Sequence, residues 1–214
     1  MCGEDPPPLS DSVHFVSTPV AIMGSDRLES FSDGVIAVII TLMAFELKAP
    51  ATAKWRGLTH LLPLLLVYMV SFTFVGIYWV NHHHLLRAAE HINAAVMWAN
   101  LHLLFWLSLI PFATAWVGAQ YGRPLPAASY GVVGLGAGLA YTLLGWMLLR
   151  ANPHDTTLAQ VVGRDVKGRV STVLYLLSVP LAYVTPYLSY AVLVVIAVLW
   201  FIPDRRLEKS TSQV

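Results

Sequence analysis

Four stretches of this sequence contain no Asp, Glu, Lys or Arg, and each is long enough to cross a lipid bilayer as a helix. They cover residues 57–86, 91–122, 124–149 and 170–203, and they are 30, 32, 26 and 34 residues long. About 20 predominantly apolar residues are enough for one crossing. Charged residues make up only 12% of the chain, whereas roughly 25% is usual for a soluble domain. The sequence therefore predicts an all-α integral membrane protein.

The lengths of these stretches predict how many spans there are. The first three hold one span each, whereas the 34 residues of the fourth would form a helix of about 50 Å, which is too long for one crossing. We expect this stretch to break at Thr185 and Pro186 and to form two short spans. The segment with Asp33 and Glu46 near its ends adds a sixth span. The predicted spans are about 30–48, 58–81, 93–117, 126–149, 168–185 and 187–203.

The distribution of Lys and Arg supports six spans and predicts their orientation. Six spans place both termini and the 81–92 and 150–169 loops on one side, together with nine of the thirteen basic residues. Five spans would divide the basic residues six to seven, with no bias. Because loops rich in Lys and Arg stay in the cytoplasm, we expect a multi-pass protein of the plasma membrane with both termini cytoplasmic. Residues 1–24 are predicted to be a disordered tail, 25–204 the six-span domain and 205–214 a cytoplasmic tail.

Composition excludes two further classes. The single cysteine, Cys2, rules out an intramolecular disulfide framework and a cysteine-based metal cluster. The formal net charge of +1 gives no indication of a nucleic-acid partner.

Within the fourth span, Gly134 and Gly138 form a pair of small residues four apart, which predicts close packing against another helix.

Polar side chains are expected to cluster where the first three spans meet at the cytoplasmic side. Asp33 lies near that end of the first span, and a charged residue in a span is a functional hypothesis by default. The second span leaves and the third enters on the same side, so we expect imidazole or amide groups to bind Asp33. The aromatic and polar residues at these ends of the second and third spans are Trp79, Asn81, His82, His83, His84, His91, Asn93, Asn100 and His102.

Several interpretations of this cluster compete. It could be a satisfied polar network that holds three helices together, a metal site, a haem ligand pair or a proton relay. His82, His83 and His84 are consecutive, so on a helix they point 100° apart and cannot all bind one ion. Metal ligands on one helix are instead spaced three or four residues apart. The sequence thus favours the structural network without excluding the others.

The opposite face of the first span is apolar apart from one hydroxyl group. At 100° per residue, seven residues lie within about 60° of Val38, whereas Asp33 lies about 140° away. They are Phe31, Gly34, Val35, Val38, Thr41, Leu42 and Phe45. Such a stripe could face lipid, pack in a core, or line a narrow hydrophobic pore formed by several copies. Spacing alone does not choose among these.

Two sequence motifs resemble a known family. The first is RLESFSDGVIAVIITLM, which starts at Arg27 and contains an R-x-x-x-F-S-D pattern through Phe31, Ser32 and Asp33. The second is WFIPDRR after the last span, and Trp79 followed by the histidines adds to the likeness. From about Met23 onward the chain resembles the prokaryotic branch of the transmembrane protein 175 family, the endosomal and lysosomal potassium channels.

This resemblance implies a homotetramer whose first helices line a central pore in the bilayer. It implies that apolar rings of Val38, Leu42 and Phe45 form the constriction and that Thr41 contributes the cation preference. Arg27, Ser32 and Asp33 would then position the helix.

We therefore expect passive, modestly selective K⁺ conduction through a hydrophobic constriction, with no enzymatic activity and no cofactor. The alternatives are a proton-coupled transporter and a membrane metal or redox enzyme, both of which would use Asp33 and the histidines.

Overall fold

The computed structural model describes residues 25–50, 53–163 and 165–201, and within these ranges the regular structure is entirely helical. The predicted tails, 1–24 and 205–214, lie outside the described residues. The helices are α1 Ser25–Phe45, α2 Trp55–Arg87, α3 Ala94–Ser108, α4 Ile110–Ala119, α5 Pro124–Ala151, α6 Thr156–Gly163, α7 Val166–Val184 and α8 Pro186–Phe201.

Among the described residues, four helical segments are long and apolar enough to cross a membrane. They are α1, α2, the continuous stretch Ala94–Ala119 that contains α3 and α4, and α5. The apolar part of α8, Pro186–Trp200, is shorter. Helix α7 has 19 residues and carries Lys167 and Arg169 in its first turn. Each of the six predicted spans overlaps one of these segments, and the short α6 lies in the predicted 150–169 loop.

The helix of the third predicted span is interrupted at Leu109. Helix α3 ends at Ser108, Leu109 lies between the helices, and α4 begins at Ile110 with Pro111 in its first turn. Proline has no backbone N–H, and its ring collides with the carbonyl group four residues earlier, so it interrupts a helix but is tolerated at a helix start. The presence of Pro111 in the sequence could have predicted this break.

The expected break in the last charge-free stretch is present. Helix α7 ends at Val184, Thr185 is extended with φ −161° and ψ 133°, and α8 starts at Pro186. The Thr185 N–H still donates to the Leu181 carbonyl at 3.0 Å, which closes the last turn of α7. The two helices then pack against each other.

Glycines on α5 let neighbouring helices approach closely. Gly134 lies against the ring of Tyr175 on α7, and Gly131 lies against Ser178 on the same helix. A Cβ atom on Gly138 would be 3.5 Å from Thr172 Oγ1, so this glycine also faces α7. The expected close packing is therefore confirmed at Gly134, where a side chain would collide with Tyr175, whereas Gly138 faces α7 at an ordinary contact distance.

Helix α1 packs on one side only. Its neighbours are α2, α3 and α4, whereas α5 contacts α3, α4, α7 and α8. This arrangement places α1 at one edge of the helix bundle and α7 and α8 at another.

Candidate functional site

Helix α1 has one buried and one exposed face. The buried face carries Leu28, Ser32, Ile36, Ile39 and Met43. The exposed face contains the predicted apolar stripe: Phe31, Gly34, Val38, Thr41, Leu42 and Phe45 are exposed, and Val35 is half-buried. The fraction exposed is 55% for Val38 and 80% for Phe45. The stripe thus has no covering helix among the described residues of its own chain.

Thr41 is the hydroxyl-bearing residue of this stripe. Its Oγ1 donates to the Val38 carbonyl of the same helix at 2.8 Å. A hydroxyl group has one hydrogen and two acceptor lone pairs. With the hydrogen used by the helix, the exposed oxygen can offer its lone pairs to a cation.

A buried hydrogen-bonded chain links α1, α2 and α3. The Asn100 side chain donates from Nδ2 to Ser32 Oγ at 2.9 Å, and Ser32 Oγ donates to the Leu28 carbonyl at 2.8 Å. The Asn100 Oδ1 lies 2.7 Å from His82 Nε2. Because a carbonyl oxygen only accepts, His82 carries its hydrogen on Nε2 and donates. Ser32, His82 and Asn100 are all fully buried. We call these three residues the buried network.

Asp33 has a different partner from the one expected. Its Oδ1 accepts from the indole Nε1 of Trp79 at 2.9 Å, and not from an imidazole or an amide as the sequence suggested. Asp33 lies 100° around the helix from Ser32, so it is only half-buried and faces α2 rather than α3. The buried network therefore forms without Asp33, and the expectation that the histidines bind Asp33 was wrong.

The partner of His83 was not predicted from the sequence. His83 Nδ1 lies 2.6 Å from Glu29 Oε1, and Arg87 Nε lies 3.8 Å from the same oxygen. Glu29 lies one turn before Asp33 on α1, and an acidic residue at this position could have indicated a partner for His83. These contacts and the Asp33–Trp79 bond attach the N-terminal half of α1 to α2.

The remaining predicted residues lie outside these contacts. Arg27 and His84 are exposed, and the ring of His84 packs edge-on against His83. Among residues 25–50, 53–163 and 165–201, no three His, Cys, Asp or Glu side chains are grouped so that they could hold a metal ion. The predicted polar residues therefore take part in three separate sets of contacts, one centred on Asn100, one on Glu29, and the Asp33–Trp79 bond.

A cluster of hydroxyl groups that was not predicted from the sequence lies next to the buried face of α1. Ser71 Oγ is 2.8 Å from the Tyr130 hydroxyl and 2.7 Å from Thr114 Oγ1. The Thr114 hydroxyl is also 4.0 Å from the sulfur of Met43 on the buried face of α1. The presence of Ser71, Thr114 and Tyr130 within predicted spans could have indicated this cluster from the sequence. Like the buried network, this cluster holds helices in register because an unpaired polar group in a bilayer is costly.

The chemistry of this region suits positioning rather than catalysis. The polar side chains bind one another on the buried side of α1, and the exposed side presents alkyl and aromatic groups with one hydroxyl. Polar contacts fix the rotation of the helix about its axis, so the same side chains always face outward.

Comparison with protein families finds a match over residues 27–111 to the endosomal/lysosomal potassium channel TMEM175 family. A potassium channel of Chryseobacterium sp. strain P1-3 is 41% identical over 89% of this chain and 100% of its own length. A potassium channel of Streptomyces collinus is 35% identical over 78% of this chain and 86% of its own length.

Solved structures give the same result for the fold. A crystal structure of a lysosomal potassium-selective channel TMEM175 homolog from Chamaesiphon minutus superimposes with a TM-score of 0.72 and 26% identity. It covers 83% of this chain and 96% of the homolog. A variant of the potassium channel MtTMEM175 has a TM-score of 0.61 and 16% identity, over 86% of this chain and 93% of that one.

Proposed function

Because this chain belongs to the TMEM175 family of potassium channels, we propose that it conducts K⁺ passively along the exposed face of α1. It is a multi-pass membrane protein of a channel family and not an enzyme. The observation that carries the proposal is the exposed stripe on α1, which is apolar except for the Thr41 hydroxyl.

The pore would form when four copies bring their α1 helices together around one axis. A single exposed helix face cannot enclose an ion path, so the stripe needs partners to act as a pore wall. Bulky exposed residues such as Leu42 and Phe45 would otherwise have only lipid as a neighbour. The homotetramer follows the expectation from the family resemblance.

Val38, Leu42 and Phe45 would form successive apolar rings along this pore. Apolar side chains cannot replace the hydration shell of an ion, so K⁺ passes with part of its water or while a ring is transiently wider. Ring size then limits conductance, and selectivity is modest. The lone pairs of Thr41, one residue before Leu42, supply polar contacts for a partly hydrated cation.

The buried network and the Asp33–Trp79 bond would hold α1 in position on the side away from this pore. They bind α1 to α2 and α3 on the face opposite Val38, without reaching the ion path. We also propose that the chain crosses the membrane six times, with α7 and α8 as the short fifth and sixth spans. The excess of Lys and Arg on one side then places both termini in the cytoplasm.

Potassium flux into proteoliposomes that contain the purified protein tests the proposal. We expect K⁺ flux to exceed Na⁺ flux and to follow the K⁺ gradient alone, without a requirement for a pH gradient. Val38→Ala should increase the flux several-fold, because a smaller ring lowers the barrier to hydration of the constriction. Flux that requires a proton gradient would favour a proton-coupled transporter instead.

A matched substitution controls for general effects of removing a side chain. Val198 on α8 is 55% exposed, like Val38, so Val198→Ala removes the same atoms from a surface away from α1. Its flux should equal that of the unmodified protein. Equal flux in both variants, with normal assembly, would show that Val38 does not form the constriction.

A further inference from the structure

A cavity of about 250 Å³ lies between α2, α4, α5 and α8, away from the stripe on α1. Its lining residues are Leu66, Val67, Met69, Val70, Val117, Tyr121, Tyr130, Tyr190, Leu193 and Val194. Val117, Tyr130 and Leu193 are buried and form its floor, whereas Leu66 and Met69 are exposed at its edge. The cavity therefore opens sideways, toward the region that lipid occupies around a membrane protein.

Two of the three tyrosine hydroxyls that line this cavity are already hydrogen-bonded, and the third belongs to the exposed Tyr121. The Tyr130 hydroxyl lies 2.8 Å from Ser71 Oγ, and the Tyr190 hydroxyl accepts from the Gly122 N–H at 3.4 Å. A buried water needs about two to four polar partners, and an apolar cavity of about 150 Å³ in a soluble protein stays dry and admits benzene. This larger space therefore suits an apolar occupant rather than water.

One end of the cavity carries aromatic rings, and a positively charged residue lies two positions along the chain from one of them. The Tyr121 and Tyr190 rings stack with centroids 5.1 Å apart, and Tyr187 packs edge-on against both. This end coincides with the α4–α5 connection, where Arg123 is exposed directly after Gly122. Tyrosine favours the membrane–water interface, and a guanidinium group binds phosphate with paired hydrogen bonds.

We propose that this cavity binds one acyl chain of an anionic phospholipid, with the lipid phosphate near Arg123. Leu193 and Val194 lie about 10–12 Å along α8 from Pro186 at 1.5 Å per residue, which is the depth of the upper acyl chain below an interfacial headgroup. The aromatic end accommodates the glycerol region, and the apolar walls contact the chain. Charge complementarity at Arg123 selects a phospholipid over a neutral apolar molecule.

A second copy of this chain is a less suitable occupant. Helix α8, which forms one wall, packs on α7, α5 and α2. The face that lacks neighbours on the pore side belongs to α1, which packs on α2, α3 and α4. None of the lining residues belongs to α1, the helix around which copies would assemble under the proposed function.

Photo-crosslinking in proteoliposomes tests the site. The probe is phosphatidylglycerol with a diazirine in one acyl chain, compared with phosphatidylcholine carrying the same chain, and adducts are located by peptide mass spectrometry. Met69 and Val198 are exposed to a similar extent, at 54% and 55%, but only Met69 lines the cavity. We expect more phosphatidylglycerol adducts at Met69 than at Val198, and fewer with phosphatidylcholine.

Two variants on adjacent residues separate cavity binding from general lipid contact. Val194 lines the cavity and Val195 does not, although both are exposed on α8. Val194→Trp should lower the adducts at Met69 to the level at Val198, whereas Val195→Trp should leave them unchanged. Leu66→Trp fills the cavity from the α2 wall and provides a second test if Val194→Trp assembles poorly.

Three results would overturn the proposal in whole or in part. Adducts that simply follow exposure, unchanged in Val194→Trp, would show that the cavity is part of the ordinary lipid shell. Adducts at Met69 that appear only after the subunits are dissociated would show that a second copy fills the cavity. Unchanged phosphatidylglycerol labelling in Arg123→Gln would overturn the assignment of the headgroup.

Discussion

The two faces of α1 are both largely apolar, but they have different surroundings in the folded chain. Ile36, Ile39 and Met43 are buried against the neighbouring helices, whereas Val38 and Leu42, on the same turns, are exposed. The buried face also holds Ser32 in a hydrogen-bonded chain, and the exposed face holds Thr41 bonded only to its own helix. In a membrane protein, hydropathy therefore does not distinguish a packed face from an exposed one. Burial and cross-helix hydrogen bonds distinguish them.

Substitution at a buried apolar position should have the largest effect on stability. Ile36 is 1% exposed, and Ile→Ala in a packed core costs about 2–5 kcal/mol because a cavity remains. We expect Ile36→Ala to lower the thermal unfolding temperature of the purified protein clearly. Val38→Ala, on the exposed face, is the control and should leave that temperature nearly unchanged. Equal losses in the two variants would remove the distinction between the faces.

Loss of the Asn100 side-chain amide, at the centre of the buried network, should have the second-largest effect on stability. Asn100→Ala leaves the His82 Nε2–H without an acceptor and removes a donor to Ser32, and an unpaired buried polar group costs about 1–3 kcal/mol. Thermal unfolding and the fraction of protein that elutes as one assembled species measure this loss. The control is Asn81→Ala, because Asn81 is half-buried and its side chain bonds only to its own helix, at the Ile77 carbonyl.

The Asp33–Trp79 bond should contribute less than the buried network. Its two side chains are partly exposed, and a typical net hydrogen bond contributes about 0.5–1.5 kcal/mol. We expect Asp33→Ala to reduce the yield of assembled protein, but less than Asn100→Ala does. Trp79→Phe should give a similar loss, and the double variant little more, if the two residues act through this bond. A larger loss in Asp33→Ala than in Asn100→Ala would show that Asp33 has further partners.

Thr41→Val should change stability least and ion preference most. The hydroxyl is exposed and bonds within its own helix, and surface substitutions of this kind usually stay within about 0.5 kcal/mol. The ratio of K⁺ to Na⁺ flux in proteoliposomes should fall, because the ring of oxygens is lost. Thr142→Val removes an equivalent exposed hydroxyl on α5 that bonds to the Gly138 carbonyl and should leave the ratio unchanged.

Helix α1 shows which features follow from local sequence. Its two faces could be assigned at 100° per residue, because helix geometry depends only on neighbouring residues. The break at Thr185 was also predictable, since proline acts on its own helix. The break at Leu109 has the same local cause in Pro111 and could have been recognised by the same rule.

The hydrogen-bond partners were not predictable in this way. Sequence analysis placed Asp33, the histidines and Asn100 at one end of three helices, and they do lie there. Which of them bind depends on the rotation and axial offset of α1, α2 and α3, and a rotation of 100° exchanges Ser32 for Asp33.

Local sequence is enough to establish that the chain is a helical membrane protein, where several of its helices end, and which face of α1 is apolar. These properties come from charge-free length, proline and helical periodicity, which are local. Only the folded chain shows that Asn100 binds Ser32 and His82, that Trp79 binds Asp33, and that a cavity remains between α2, α4, α5 and α8. Those outcomes depend on how several helices pack together, because each contact joins residues that are far apart in the chain.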